Sequence, residues 1–277
     1  MVVSTVVDGL ADQPGKRNIL ITGSGSGIGR DTAVALARRG HRVLATTHTH
    51  AEAEEMSELS ARLRLPIESF KLDVTAPDDR NRIVGLDLDV LINNAGTGES
   101  GSLAEIDVDR VRHNFEVNVF GPLSLTQLAL RRMVPMDRGT VIFISSLAGR
   151  ITMPFLGPYS MTKFSLSGGI DALRQELSKI DSNVHVVLVE PGSYHTGFNQ
   201  ENIAKKYEWM GETSYFYQTI DRIRSDEERY FRLLEVRSTD SIVRKIVRAA
   251  EARKPRFRYV APWWQGALVQ LARTFGK

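Results

Sequence analysis

The chain contains no cysteine. Disulfides, thiolate metal ligands and thiol nucleophiles are therefore excluded from any account of its stability or chemistry. Long apolar runs are also lacking: none approaches the roughly 20 residues needed to cross a bilayer. The opening residues, MVVSTVVDGLADQPGK, have no basic start, and Ser4, Thr5 and Asp8 interrupt their apolar stretch, which argues against a secretion signal. Charge of one sign is scarce. With 36 basic residues against 33 acidic ones the formal net charge is +3, too small to imply a nucleic-acid partner. Low-complexity tracts, proline-rich linkers and internal repeats are missing too. The expectation is a cytoplasmic, soluble protein, with residues 1–16 a flexible lead and 17–277 one domain.

What is present is ordinary core-forming material, 42% hydrophobic and 25% charged over 277 residues, enough for a substantial interior. Short runs rich in branched aliphatics at 19–22, 42–46, 67–72, 90–93, 141–144 and 185–189 read as strands buried on both faces. Between them, 28–39, 51–62, 108–132 and 160–179 have helical length and spacing. This alternation predicts an α/β fold, a doubly wound parallel sheet with helices on both faces. After Pro191 the rhythm changes. Residues 192–238 are polar and aromatic, with Tyr194, Phe198, Tyr207, Trp209, Tyr215, Phe216 and Tyr217. They are expected to form a helical flap over the carboxyl edge of the sheet, where open α/β folds bind ligands.

The segment Thr22-Gly23-Ser24-Gly25-Ser26-Gly27-Ile28-Gly29 links the first strand to the first helix. Gly23 permits a tight turn, and the bare backbones of Gly27 and Gly29 allow a pyrophosphate and the helix to approach closely. The helix start then offers free amides and a positive dipole end to phosphate. Alone such a turn is a weak signal; its place between strand and helix strengthens it.

Further motifs follow in order: Asn93-Asn94-Ala95-Gly96, Asn118 in Asn-Val-Phe-Gly, Ser146 in Ile-Ser-Ser-Leu-Ala-Gly, Tyr159-Ser-Met-Thr-Lys163, and Pro191-Gly192-Ser-Tyr-His-Thr196. Together with TGxxxGIG they resemble the short-chain dehydrogenase/reductase family, well over residues 17–200 and in outline beyond. The resemblance implies a Rossmann-type sheet, a nicotinamide dinucleotide, and oxidation or reduction at a CH–OH carbon. It implies catalytic roles for Tyr159, Ser146, Lys163 and Asn118, the last as a kink in its helix that holds a water next to the lysine. Ser146 is favoured over Ser145 by the same pattern. Cofactor contacts are implied for Gly23, Ser24, Gly25, Ser26, Gly27, Ile28, Gly29, Asn94, Ala95, Gly96, Pro191, Gly192 and Thr196, and for the pair Asp73 and Val74.

The chemistry is consistent with these residues. Tyr159 and Lys163 are four apart, so a helix places them on one face. A free tyrosine titrates near ~10; a nearby ammonium and an oxidised nicotinamide are expected to lower it, so that it can take or give a proton.

In the family an acid at the end of the second strand binds the adenosine ribose and selects NAD. Here that position is Thr47, with His48 beside it and Glu52 several residues on. The reading leans to NADP, with NAD as the alternative, Thr47 donating its hydroxyl to a 2′-phosphate. His48 and His50 lack a third ligand nearby, so no metal is expected.

From Arg237 to Lys277 ten basic residues face two acids, and Trp263 to Phe275 reads as an amphipathic helix after a last strand at 256–260. A subunit interface or a lid over the cleft is favoured here over peripheral contact with a membrane. A homodimer or homotetramer is expected. The leading function is an oxidoreductase interconverting a secondary alcohol and a ketone, or an alcohol and an aldehyde, on a bulky or apolar small molecule. The alternatives are an epimerase or lyase that uses the nicotinamide transiently, and a non-catalytic redox sensor.

Overall fold

Each short aliphatic run becomes a strand in the computed structural model, which describes residues 15–276. The strands are β1 (Asn18–Ile21), β2 (Arg42–Thr47), β3 (Ile67–Lys71), β4 (Val90–Asn93), β5 (Gly139–Ile144), β6 (Val184–Pro191) and β7 (Arg258–Ala261). All pairings are parallel, in the order β3-β2-β1-β4-β5-β6-β7. The helices are α1 (Gly27–Arg38), α2 (His50–Leu63), α3 (Pro77–Asn81), α4 (Val108–Phe115), α5 (Gly121–Met133), α6 (Gly157–Ser178), α7 (Phe198–Ala204), α8 (Lys206–Trp209), α9 (Ile220–Leu234), α10 (Asp240–Glu251) and α11 (Trp263–Phe275). Of the lead-in expected over 1–16, residues 1–14 lie outside the described residues.

Because successive strand side chains point to opposite faces, each strand feeds two cores. Ile19, Ile21, Val43 and Ile92 pack with Leu36 of α1, Met56 of α2 and Ile246 of α10. Leu20, Leu44, Leu91 and Phe143 pack with Leu125 of α5 and Leu166 of α6. This is why the strands read as nearly unbroken apolar runs. The connections after β1 and β4 leave on opposite sides, and the crevice at the carboxyl ends opens where the order reverses.

One expected helix is two. The stretch read as continuous over 108–132 is broken by a π-turn at Glu116–Phe120, where the Gly121 N–H donates to the Glu116 carbonyl, five residues back. Apolar periodicity does not register one extra residue in a turn, and such turns recur at functional sites. The last strand and α11 form as expected. Among the described residues, no helix is long and apolar enough to cross a membrane, and no group of His, Asp and Glu could hold a metal ion.

Candidate active site

The glycine-rich turn is shaped by contacts that leave no room for side chains. A Cβ on Gly29 would overlap the Gly23 carbonyl oxygen and Asn94 Nδ2. Gly23 itself has φ 66°, and a Cβ there would lie 2.7 Å from Ala95 Cα. Asn94 fixes the turn by donating from Nδ2 to the carbonyls of Thr22 (2.9 Å) and Gly23 (2.8 Å). The Thr22 hydroxyl accepts from the amides of Asn94 and Ala95, both at 3.0 Å. Ser26 precedes α1 without capping it through its side chain, so the first-turn amides face the crevice. Thr196, just past β6, closes the other side: a Cβ on Gly27 would lie 3.1 Å from Thr196 Cβ.

A cleft of about 1020 Å³ runs from this turn across the carboxyl edge of the sheet. Of the residues singled out in the sequence, it brings together Gly23, Gly25, Ser26, Gly27, Ile28, Gly29, His48, Asp73, Val74, Asn94, Ala95, Gly96, Ser146, Tyr159, Lys163, Pro191, Gly192 and Thr196. Two others face inward. The Ser24 hydroxyl donates to the Ile21 carbonyl at 3.1 Å, and Thr47 is buried with its hydroxyl donating to the Thr49 carbonyl at 2.9 Å. Thr47 thus has no hydroxyl to spare for a ligand, a correction to its expected role: as the last residue of β2 it points into the protein. The acid that the sequence reading set aside, Glu52, does line the cleft. Its signal was the Thr49-His-Ala-Glu52 capping box at the start of α2.

At the far end stand Ser146, Tyr159 and Lys163. Ser146 follows β5, its Oγ accepting from the Ala148 amide at 3.0 Å and bonding toward the Tyr159 phenol. Ser145 is turned away, its hydroxyl 2.9 Å from that of Ser167 in the interior. Tyr159 and Lys163 share one face of α6, with Nζ 5.5 Å from the Tyr159 ring centre. Lys163 is buried and donates to the Ile144 carbonyl at 3.0 Å.

Burial pushes the Tyr159 phenol up to about 12, opposed in part by its bond with Ser146. The same desolvation brings Lys163 down to about 8. The expected lowering is not seen in the protein alone, where the loss of water dominates over the bond with Ser146.

Asn118 does not line the cleft; it stands behind it, buried in the π-turn. Its Nδ2 is within reach of the Thr97 carbonyl (2.8 Å), Asn114 Oδ1 (3.0 Å) and Thr162 Oγ1 (3.0 Å), and its Oδ1 accepts from the Thr97 amide at 2.9 Å. It thereby locks the loop after β4 to α6, one residue before Lys163.

The segment 192–238 roofs this end of the cleft. Asn202 ties α7 to the loop after β4, its Oδ1 accepting from the Gly98 amide at 2.9 Å, and Phe198 lies 6.0 Å from the Tyr159 ring. Of the seven aromatics counted in the sequence only Tyr194 and Phe198 line the cleft, joined by Tyr230 and Phe231 of α9. Tyr215 is 81% exposed, Trp209 packs beneath Gly101, and Phe216 meets Phe155 edge-on at 5.1 Å. Composition did not separate wall from support. Trp264, Leu268 and Val269 of α11 complete the wall, as a lid helix would.

Comparison with known proteins agrees with this architecture. Residues 17–207 match the family model described as short chain dehydrogenase. The chain is 30% identical over 262 residues to the oxidoreductase YbbO of Escherichia coli, covering 93% of this chain and 90% of that protein. It is 32% identical over 220 residues to the oxidoreductase YusZ of Bacillus subtilis, covering 76% of each. A 3-ketodihydrosphingosine reductase of Bacteroides thetaiotaomicron is 33% identical over 190 residues, 68% of each chain. Among solved structures, a short-chain dehydrogenase/reductase of Burkholderia phymatum in complex with NAD superposes with a TM-score of 0.78 at 20% identity, covering 95% of both chains. One from Sphingobium yanoikuyae in complex with NADPH gives 0.72 at 22%, covering 93% of this chain and 94% of that one. The chain belongs to the short-chain dehydrogenase/reductase family of oxidoreductases.

Proposed function

We propose that the protein interconverts an alcohol and a ketone or aldehyde with NAD or NADP, Tyr159 carrying the proton. The observation that carries this reading is the convergence of Tyr159, Ser146 and Lys163 at one end of a cleft whose other end is the glycine-rich turn. The turn suits a dinucleotide: its backbone is kept bare at Gly29 and Gly23, and the start of α1 is left uncapped toward the crevice. Gly25, Ser26, Gly27, Ile28 and Gly29 would hold the pyrophosphate with Thr196 opposite, and Asp73 and Val74 the adenine side. When bound, the dinucleotide supplies or takes a hydride at the substrate carbon.

The rest is done by this chain. In reduction, the Tyr159 phenol gives its proton to the carbonyl oxygen as the carbon gains hydride; in oxidation it is the Tyr159 phenolate that takes the hydroxyl proton as hydride leaves. Ser146 Oγ orients the reacting oxygen against Tyr159. Lys163 stands behind the phenol as a donor whose charge favours phenolate. Asn118 positions both through Thr97 and Thr162. Ile151, Phe155, Phe198, Phe231 and Trp264 give the cleft apolar walls, which suits a bulky, largely apolar substrate. The exposed Leu123 of α5 with Met161 and Phe164 of α6 suits burial against a second copy.

The test is a panel of alcohols and carbonyl compounds offered with NAD(P)⁺ and NAD(P)H respectively, followed at the nicotinamide absorbance. Turnover of apolar ketones or their alcohols is expected. A nicotinamide that binds while its absorbance never changes with any of them contradicts the reading.

A further inference from the structure

The adenosine end of the cleft holds a carboxylate that no strand-end motif announces. Glu52 is the third residue of α2 and closes a capping box with Thr49. Its Oε2 accepts from the Thr49 amide (2.9 Å) and hydroxyl (3.0 Å). That leaves Oε1 over the glycine-rich turn, where a Cβ on Gly25 would come within 2.9 Å of it. Among the described residues Oε1 has no hydrogen-bond partner, and no lysine, arginine or histidine lies within ion-pair distance of Glu52. The absence of a side chain at Gly25 is what lets the carboxylate lie there.

The surroundings add negative charge. Asp73 lines the same end of the cleft. Burial raises its carboxyl, yet bonds from the Thr75 amide and hydroxyl outweigh this and hold it below the usual carboxylate range. His48 stands 4.0 Å from Asp73. The lysines that line the cleft are all elsewhere: Lys163 on Ile144, Lys205 on Gly98 and Asn202, and Lys206 paired with Glu227.

A ribose 2′-hydroxyl needs an acceptor, and Oε1 is an open one. A 2′-phosphate carries nearly two negative charges and would meet Glu52 and Asp73, while Lys71, the lysine beside Asp73, is already paired with Asp79. Dinucleotide folds select NAD by an acid on the ribose hydroxyls; here the acid comes from a helix start and not from the strand end. We propose that Glu52 is the residue by which this protein selects NAD(H) over NADP(H). This rests on the dinucleotide reading above, and it reverses the leaning to NADP drawn from Thr47.

The test is binding, with turnover not required. Full-length protein is titrated with NADH and with NADPH by nicotinamide fluorescence, and with 5′-AMP and adenosine 2′,5′-bisphosphate by calorimetry, which isolates the adenosine end. Wild-type protein is expected to bind the member without the 2′-phosphate about tenfold more tightly in each pair. Glu52→Gln keeps the capping geometry and should bring both ratios to within about threefold, with NADPH binding more tightly than to wild type. Equal or tighter binding of the phosphorylated member by wild type overturns the proposal, as does a ratio that Glu52→Gln leaves unchanged. The wild-type titrations decide the matter if the variant does not fold. Binding of neither dinucleotide overturns the dinucleotide reading itself, and this inference with it.

Discussion

Asn118 Nδ2 lies 3.0 Å from Thr162 Oγ1, so the π-turn between α4 and α5 is bonded to α6 at the residue before Lys163. The same amide group bonds the loop after β4 on both its N–H and its carbonyl side through Thr97. Asn118→Ala leaves several buried partners unsatisfied, at a cost of about 2–3 kcal/mol. Denaturant unfolding should show that loss. Turnover at a temperature where the variant is fully folded should also fall, because Lys163 and the loop at Gly96 lose their common reference. Full activity in a destabilised variant would reduce Asn118 to a structural residue.

The lowered Lys163 predicts a trade of stability against activity. Its folded-state value of about 8 lies below that of a free lysine, so its contribution to stability is fully present above about 10.4 and is lost as pH falls through 8. At pH 7 the buried ammonium therefore destabilises the fold. Lys163→Met should be inactive yet more stable by roughly 1–2 kcal/mol at pH 7. That gain should shrink as the pH approaches 10, which melting curves across the range would reveal.

A phenol at about 12 is protonated throughout the neutral range, as the proposed reduction requires. The expected profile of kcat/KM for reduction is flat up to about pH 8 and falls above it as Lys163 loses its proton. A fall on the acid side of neutrality would assign control to some other group.

Gly29→Ala tests the bare turn. The added methyl overlaps the Gly23 carbonyl and Asn94, so α1 must move away from the strand. A loss of about 1–3 kcal/mol in stability is expected, with dinucleotide binding weakened at least tenfold by titration. Unchanged affinity would remove the turn from the proposed cofactor site.

Much of this was legible in the amino-acid order, and the rest was hidden for identifiable reasons. The seven strands show because a sheet covered on both faces needs unbroken apolar runs, as in Val90-Leu-Ile and Val141-Ile-Phe-Ile. Tyr159 and Lys163 show because helical spacing fixes their shared face. A kink at Asn118 was expected only through resemblance, and the π-turn that makes it leaves the hydrophobic pattern unchanged. The inward turns of Ser24 and Thr47 depend on local bonds to Ile21 and Thr49, which residue type does not dictate. Glu52 was discounted by counting along the strand, although the helix start folds it back over Gly25. The raised Tyr159 follows from how closely the cleft walls crowd it, a property of packing alone.

The most direct test of the account is Tyr159→Phe, assayed with a substrate that the wild-type protein turns over. The ring and its packing on Phe198 remain, and only the hydroxyl is lost. A fall in kcat of roughly 10²–10⁴-fold is expected, with dinucleotide affinity and melting temperature close to wild type. Turnover at the wild-type rate would contradict it.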